Sequence, residues 1–429
     1  MRRTGLAVLA ATILFVGSAA AETTILTNAT LIDGTGSPPQ PNMSITITDG
    51  RIVDIKPTPQ PRPDSIMQML VPRDTTIVDL GGKFVVPGII NAHGHVGPAP
   101  RDPQLRQYAL YGVTTTTSMY FDQDDVQQFK ERQKAGELKG ARILTVMYRF
   151  MSGTFSPGSE VKTPEAARAK VDEIVAKGAD FVKVWIDAQG GRYPKLSPEF
   201  TAAVMDQARK HGKITMAHIV ELADARRIVD QGVNILAHDV RDQEIPDDFI
   251  ATLKQRNVAV ISTLAREEAM FVFGDSPGFT DNPFFQKGLT PERLALLKTK
   301  KRDEQANDPT RAANKNAFEI DKINVRKLSD AGVLLGFGTD SGGEPNRFFI
   351  QGFFEHRQME LMRDAGLTPM QIIQSFSQNN AQLLGIDKDF GTLAKGKAAD
   401  LLVLTKNPLD DITNMRALEA VYLGGRKFE

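Results

Sequence analysis

Six histidines, no cysteine and one isolated lysine define the chemistry open to this 429-residue chain. Without thiolates there are no disulfides, zinc–thiolate sites or cysteine nucleophiles, so a metal would have to sit on His, carboxylate or modified lysine. Four histidines fall at the ends of short apolar runs: Asn91-Ala92-His93-Gly94-His95, Met216-Ala217-His218 and Leu236-Ala237-His238. Two His at i and i+2 on a strand point to the same face, so both imidazoles can reach one ion. Phe181-Val182-Lys183-Val184-Trp185 sets a lysine inside a run that reads as buried, and Gly338-Thr339-Asp340-Ser341-Gly342 ends another run on a carboxylate. Each feature has a plain reading of its own. A strand-end His can be a hydrogen-bonded structural residue, the Thr-Asp-Ser-Gly stretch a simple turn, and Lys183 the partner of a nearby carboxylate. Five strand ends offering ligand-type side chains make a stronger set than any one of them.

To bring them together, the chain must align those strand ends. Between residues 85 and 384 short apolar strands alternate with amphipathic helices, the signature of a parallel sheet. The expected strands are 86–96, 113–120, 142–148, 181–187, 214–219, 234–240, 258–264 and 333–341. Thr163-Pro164-Glu165 and Ser197-Pro198-Glu199 each put a capping hydroxyl before a helix-starting proline. Gly178, Gly212, Gly232 and Gly332 sit where helices should stop. Eight such units fit an α/β fold, a (β/α)8 TIM barrel with insertions, with a doubly wound open sheet as the alternative. In a barrel, chemistry gathers at the C-terminal ends of the strands, where these residues lie.

The two ends of the chain read differently. Met1-Arg2-Arg3, an apolar run to about Val16 and Ala19-Ala20-Ala21 describe a secretory signal peptide over residues 1–21, which implies a periplasmic or secreted protein. Thr24-Ile25-Leu26-Thr27, Ser44-Ile45-Thr46-Ile47 and Arg51-Ile52-Val53-Asp54-Ile55 are strand-like, with Asp49-Gly50 as a hairpin turn. Ala399-Asp400-Leu401-Leu402-Val403-Leu404 and Ala420-Val421-Tyr422-Leu423 repeat that texture. A small β-sandwich built from residues 22–85 and 389–429 is therefore expected around a barrel at 86–388. Lys+Arg and Asp+Glu both total 52, so the long-range field is weak and a nucleic-acid partner is not expected. Nor is a membrane partner expected once the signal is removed, and the chain is compatible with a homo-oligomer.

His-x-His, an isolated strand-four Lys, two later strand-end His and a strand-eight Asp resemble the metal-dependent amidohydrolase superfamily, in its imidazolonepropionase-like and prolidase-like branch. Val86-Pro87-Gly88-Ile89-Ile90-Asn91-Ala92-His93 is similar to that family's entry into the first barrel strand. Gly391-Thr392-Leu393, Gly396-Lys397-Ala398-Ala399-Asp400-Leu401 and Asn407-Pro408-Leu409-Asp410-Asp411-Ile412 resemble its return to the β-domain. The resemblance implies two divalent ions, zinc above others, bridged by a carboxylated Lys183. His93 and His95 with Asp340 would hold one ion, and His218 and His238 the other. It further implies a bridging water acidified to hydroxide, with Asp340 passing its proton to the departing nitrogen. The implied substrate is a small amide: a dipeptide, an N-acyl amino acid or a cyclic amide.

Three local features qualify this. His218-Ile219-Val220-Glu221 is an HxxE, and a similar Glu shuttles the proton in the superfamily's one-metal deaminases, so a mononuclear deaminase of an amino-heterocycle using Glu221 is the alternative. Glu221 can equally be the acidic opening of the next helix. A barrel used only for binding is the non-enzymatic reading, and the full ligand set argues against it. No His lies between His95 and His211, where some dipeptidase-like relatives carry one, which weakens a carboxypeptidase-type specificity. For substrate contact the candidates are Tyr148, Arg149, Arg266 and His356. Arg149 reads equally as a solvated loop charge, and His356 as a helix-start residue. The segment 266–288 reads as a long loop whose Phe271, Phe273, Phe279, Phe284 and Phe285 suit an apolar substrate moiety, or packing against the barrel or a second subunit.

Overall fold

The computed structural model describes residues 22–59, 75–97, 100–119, 125–137, 139–152, 161–188, 190–343 and 348–429. The expected signal peptide lies outside them. Both chain ends meet in one eight-stranded sheet. Strands Thr23–Leu31, Gln40–Thr48 and Arg51–Pro57 pair antiparallel in succession, and the turn at Asp49-Gly50 takes φ values of 48° and 77°, the double positive-φ hairpin its residue types favour. Phe84–Pro87 then lies parallel to the first strand and antiparallel to Leu401–Leu404, which pairs with Leu418–Leu423. Leu26, Ile45 and Ile52 from one end share a core with Leu401, Val403 and Tyr422 from the other.

The remaining strands run parallel, with the mixed α/β content of a TIM-barrel fold. In order they are Ile89–Asn91, Val113–Ser118, Arg142–Thr145, Phe181–Trp185, Ile214–His218, Ile235–Leu236, Ala259–Ser262 and Leu335–Phe337, one in each expected stretch. Strand three resumes as Arg149–Phe150 after a left-handed Met147, which carries it alongside strand four. Strands eight and one meet through the Ala92 N–H donating to the Phe337 carbonyl (3.0 Å), and through a parallel extension pairing Ser341–Gly343 with Gly94–Val96. The Asn380 amide staples this seam, donating to the Ile90 and Phe337 carbonyls at 2.6 and 2.7 Å.

The helix signals act as their chemistry dictates. The Thr163 and Ser197 hydroxyls accept from the N–H groups of Ala166 and Phe200, with Pro164 and Pro198 opening helices Pro164–Ala176 and Pro198–Lys210. One core layer lies between strands and helices, including Val182, Val184, Ala217 and Leu236. A second fills the barrel, with Ile90, Ala92, Phe181, Met216, Ala237 and Ile261 beneath the strand ends.

One expectation fails. Residues 266–288 are not an open loop but a succession of short helical turns: Leu264–Ala269, Val272–Asp275, Gly278–Asp281 and Pro283–Gln286. Their aromatic side chains turn inward. Phe273 and Phe285 are buried, and Phe279 and Phe285 stack on Phe353 at 5.2 and 4.7 Å. Of the roles open to them, packing against the barrel's helices is the one they fill.

Candidate metal centre

Period-two alternation sends the polar side chains of strands four and five to the barrel mouth. Val182 and Val184 belong to the outer layer and Phe181 to the inner one, so Lys183 faces inward. On the neighbouring strand Ala217 is outer and Met216 inner, and His218 follows Met216 inward, in register with Trp185. Strand six stops at Leu236, and that break brings His238 round to the cluster, although continued alternation from Ala237 would send it outward. On strand one, His93 receives close contacts from strand eight. The Thr339 and Asp340 N–H groups both donate to its carbonyl, and a Cβ on Gly338 would lie 2.6 Å from the His93 Cβ.

The six expected ligands therefore come to one end of one barrel. The rings of His93 and His238 lie 4.4 Å apart, those of His218 and His238 4.5 Å, and those of His93 and His95 5.9 Å. Asp340 Oδ1 is 2.5 Å from His95 Nε2 and 3.9 Å from His93 Nε2. One ligand atom from each of His93, His238 and Asp340 falls within 4.8 Å of the others, close enough to share a cation. Asp340 adopts φ = 52°, a left-handed conformation uncommon outside glycine and tolerated best by Asp and Asn. Such outliers persist where surrounding structure over-determines them, and here two hydrogen bonds to His93 do so.

The electrostatics suit a cation. Burial holds His93 and His238 well below the usual imidazole pKa and His218 down at about 3, so all three are neutral and keep a lone pair. The Thr263 hydroxyl takes His238 Nδ1 at 2.8 Å and leaves Nε2 for the cluster. Burial, opposed by Asp340 and reinforced by Arg149, brings Lys183 down to about 7. Among the described residues Lys183 Nζ, His93 Nδ1 and His218 Nε2 are buried without a hydrogen-bond partner. Buried polar atoms of this kind are costly unless something satisfies them, and imidazole, carboxylate and modified-lysine donors fit divalent ions.

Of the other expected residues, two join the site. Arg149 is the register partner of Lys183, and its guanidinium lies 4.4 Å over the Trp185 ring, which in turn stacks on His218 at 4.3 Å. Arg266 Nε lies 3.6 Å from Asp340 Oδ2, while its Nη1 is held by both Glu267 oxygens. Tyr148 instead packs on Phe150 and under Lys170, on the helix side of the strand. His356 is buried on helix Phe353–Asp364, with Nε2 on the Tyr111 carbonyl (2.8 Å) and its ring against Phe284, and no cluster residue is among these partners. Glu221 precedes helix Leu222–Asp230 and pairs with Lys195 at 2.8 Å.

Several residues at the site escape a reading by residue type. Asp187 stands 3.7 Å from His218 Nε2, and alternation from Lys183 through Trp185 to Asp187 was the available signal. Thr263 and Glu355 left none, because a hydroxyl or a helix-start glutamate is unremarkable until its neighbour is known.

A family model described as "Amidohydrolase family" matches residues 84–427. An ochratoxinase of Aspergillus niger is 25% identical over 279 residues, 62% of this chain and 49% of that protein, so the match spans about half the relative's length. A 5-methylthioadenosine/S-adenosylhomocysteine deaminase of Moorella thermoacetica is 24% identical over 371 residues, 77% of this chain and 75% of its own. Among solved structures, a candidate prolidase from Bifidobacterium longum superposes with a TM-score of 0.73 at 25% identity, covering 95% of this chain and 94% of the other.

Proposed function

The chain belongs to the amidohydrolase family, and from that premise we propose that it is an exported hydrolase that uses two divalent ions, zinc foremost, to cleave the C–N amide bond of a small substrate. A dipeptide, an N-acyl amino acid and a cyclic amide are the substrate classes. One observation carries the reading: His93, His95, His218, His238, Lys183 and Asp340 converge on one barrel mouth, with Lys183 buried and lacking a hydrogen bond.

Bound there, the ions would supply Lewis acidity, which acidifies water and polarises a carbonyl oxygen. His93, His95 and Asp340 would hold one, His218 and His238 the other, with Lys183 between them. Lys183 suits that place once modified. With its pKa near 7 it carries an uncharged fraction at neutral pH, and the nitrogen lone pair of that form adds to carbon dioxide. A C–N bond forms, a C=O π pair moves to oxygen and a proton leaves, so that a bidentate anion replaces a buried cation. Asp340 would take a proton from the attacking water and hand it to the departing nitrogen. Arg149 and Arg266 flank the centre and would grip an anionic end of the substrate, such as a free carboxylate.

The deaminase alternative needs Glu221 at the centre, and its ion pair with Lys195 speaks against that role. Residues 1–21 would direct the chain to the periplasm or beyond. The shared terminal sheet supports a small β-sandwich from 22–85 and 389–429 around a barrel at 86–388. The test is elemental analysis of protein prepared with bicarbonate and without chelator, followed by turnover on the three amide classes. Two ions per chain and amide cleavage are expected. One ion, with ammonia released from an amino-heterocycle, would replace this reading with the deaminase.

A further inference from the structure

His93, His95 and Asp340 come from barrel strands one and eight, whose ladder is interrupted at the level of the site. Ile89–Asn91 pairs with strand two and Leu335–Phe337 with strand seven, and among the described residues the two strands pair with each other as a ladder only past His93 and Asp340, at Gly94–Val96, which includes His95, and Ser341–Gly343. Glu355 occupies this seam. It is the third residue of helix Phe353–Asp364 and fully buried. Its Oε1 accepts from three side chains: Asn91 Nδ2 at 2.6 Å, Thr339 Oγ1 at 2.9 Å and Ser341 Oγ at 2.7 Å. Its Oε2 accepts from the Gly352 N–H at 2.6 Å.

Capping a helix requires only that last bond, the N3 carboxylate reaching back to the N-cap N–H. Three further donors on the other oxygen are beyond what a cap needs. They come from the tips of two strands and lie next to ligands in sequence: Asn91 precedes His93 by two, and Thr339 and Ser341 bracket Asp340. The grip continues toward the ligands. Asn91 Oδ1 accepts from the His93 N–H at 3.0 Å, and Asn91 Nδ2 also donates to Thr339 Oγ1 at 2.9 Å. No hydrogen bond among the described residues joins Glu355 to the strands that carry Lys183 and His218 or to His238.

We propose that Glu355 is a positioning residue chiefly for one ion: by clamping Asn91, Thr339 and Ser341 with a single oxygen, it fixes the spacing at which His93, His95 and Asp340 converge on one cation, and it reaches the ion of His218 and His238 only indirectly, through His93 and Asp340 beside His238. The inference rests on the two-ion reading above and adds an asymmetry that reading does not contain. Outer partners of metal ligands typically contribute 10–100-fold in affinity through orientation.

The test titrates metal-free full-length protein with Co2+, following bound ion by absorption and calorimetry, for wild type, Glu355→Gln and Thr339→Val. Wild type is expected to bind two Co2+ per chain. Glu355→Gln should weaken one ion roughly 10–100-fold and leave the other within about threefold. Thr339→Val keeps the side-chain shape, removes one donor, and should shift the same ion by a smaller factor. It carries the test if Glu355→Gln does not fold. Fewer than two ions on wild type would sink the two-ion reading and this inference with it. Two ions on wild type, with both sites weakened equally or neither weakened in the variants, would overturn the positioning role and leave the two-ion reading standing.

Discussion

Lys183 and Arg149 are direct register partners on adjacent parallel strands, and Lys183 Nζ finds no hydrogen-bond partner among the described residues. A buried ammonium beside a guanidinium works against the stability of the metal-free fold. From a usual 10.5 the folded value falls to about 7, first through burial. Between those values the unfolded chain binds more protons than the folded one, so metal-free stability rises with pH from about 7 to about 10.5. Below about 7 the penalty is present in full.

Lys183→Met should therefore separate stability from function. Metal-free protein carrying it should unfold at higher temperature at pH 7, with a gain of roughly 2–4 kcal/mol, and its stability should rise less steeply between neutral and alkaline pH. Turnover should drop on the order of 10³-fold. In Lys183→Ala, where the side-chain volume is vacated, short carboxylic acids should restore part of it. Thermal melts across pH and amide turnover check both halves, and full activity in either variant would remove Lys183 from the centre.

The buried histidines continue the same slope at lower pH. His218 falls from a usual 6.5 to about 3, chiefly by burial. Between those values the unfolded state takes a proton that the folded state refuses, so stability falls as pH drops through this window. Metal-free wild type should lose melting temperature steadily from about pH 6.5 toward 3, and His218→Gln should flatten that slope. Bound ions should make the acid limit steeper, since protons and metal compete for the same lone pairs. A melting temperature independent of pH over this range would mean that the imidazoles are not held neutral by burial.

Asp340→Asn is an unusually clean substitution. Asparagine tolerates the left-handed φ of 52° and keeps the same shape, so the N–H bonds to His93 remain available. What it loses is the negative charge and with it the ability to accept and return a proton, while the amide oxygen can still face a cation. Metal should remain bound, and turnover should fall roughly 10²–10⁴-fold, the range for a lost general acid–base. Unchanged turnover would assign the proton transfer to another group.

The barrel was legible because its apolar runs are short, regular and separated by capped helices, as at Thr163 and Ser197. The clustering of these side chains was legible because a barrel gathers strand ends and these carry His, Lys and Asp. The region 266–288 was not, since helices of four to six residues, two of them started by Pro277 and Pro283, are too short to show a helical period. Its phenylalanines then read as lid or pocket residues when they are packing. The turn of His238 into the site depends on strand six ending after two residues, which no local propensity reveals. Glu355 and Thr263 matter only through partners distant in sequence, Asn91 and His238.

His356 shows how a chemically capable residue can serve packing alone. Its Nε2 meets the Tyr111 carbonyl and its ring meets Phe284, joining the end of helix Arg101–Leu110 to the segment after strand seven. His356→Ala should cost roughly 2–4 kcal/mol in unfolding free energy, through a cavity and a lost buried hydrogen bond. KM on any accepted amide should stay unchanged, and a tenfold rise would return His356 to the substrate site.

Glu221→Gln distinguishes hydrolysis of an amide from deamination. Lys195 pairs with Asp224 at 2.7 Å as well as with Glu221 at 2.8 Å, so the lysine keeps a partner when Glu221 is neutralised. The Glu221 side chain is about half exposed, and ion pairs in that setting contribute at most about 1 kcal/mol. The variant should fold, bind metal and cleave amides as wild type does, since the hydrolase reading assigns Glu221 no role. A deaminase using this HxxE would instead lose its proton shuttle, and ammonia release from an amino-heterocycle would fall on the order of 10²–10⁴-fold. Assaying both reactions in both proteins decides between them. Amide cleavage indifferent to Glu221 supports a hydrolase centred on Asp340, and ammonia release abolished by the substitution would establish a one-metal deaminase.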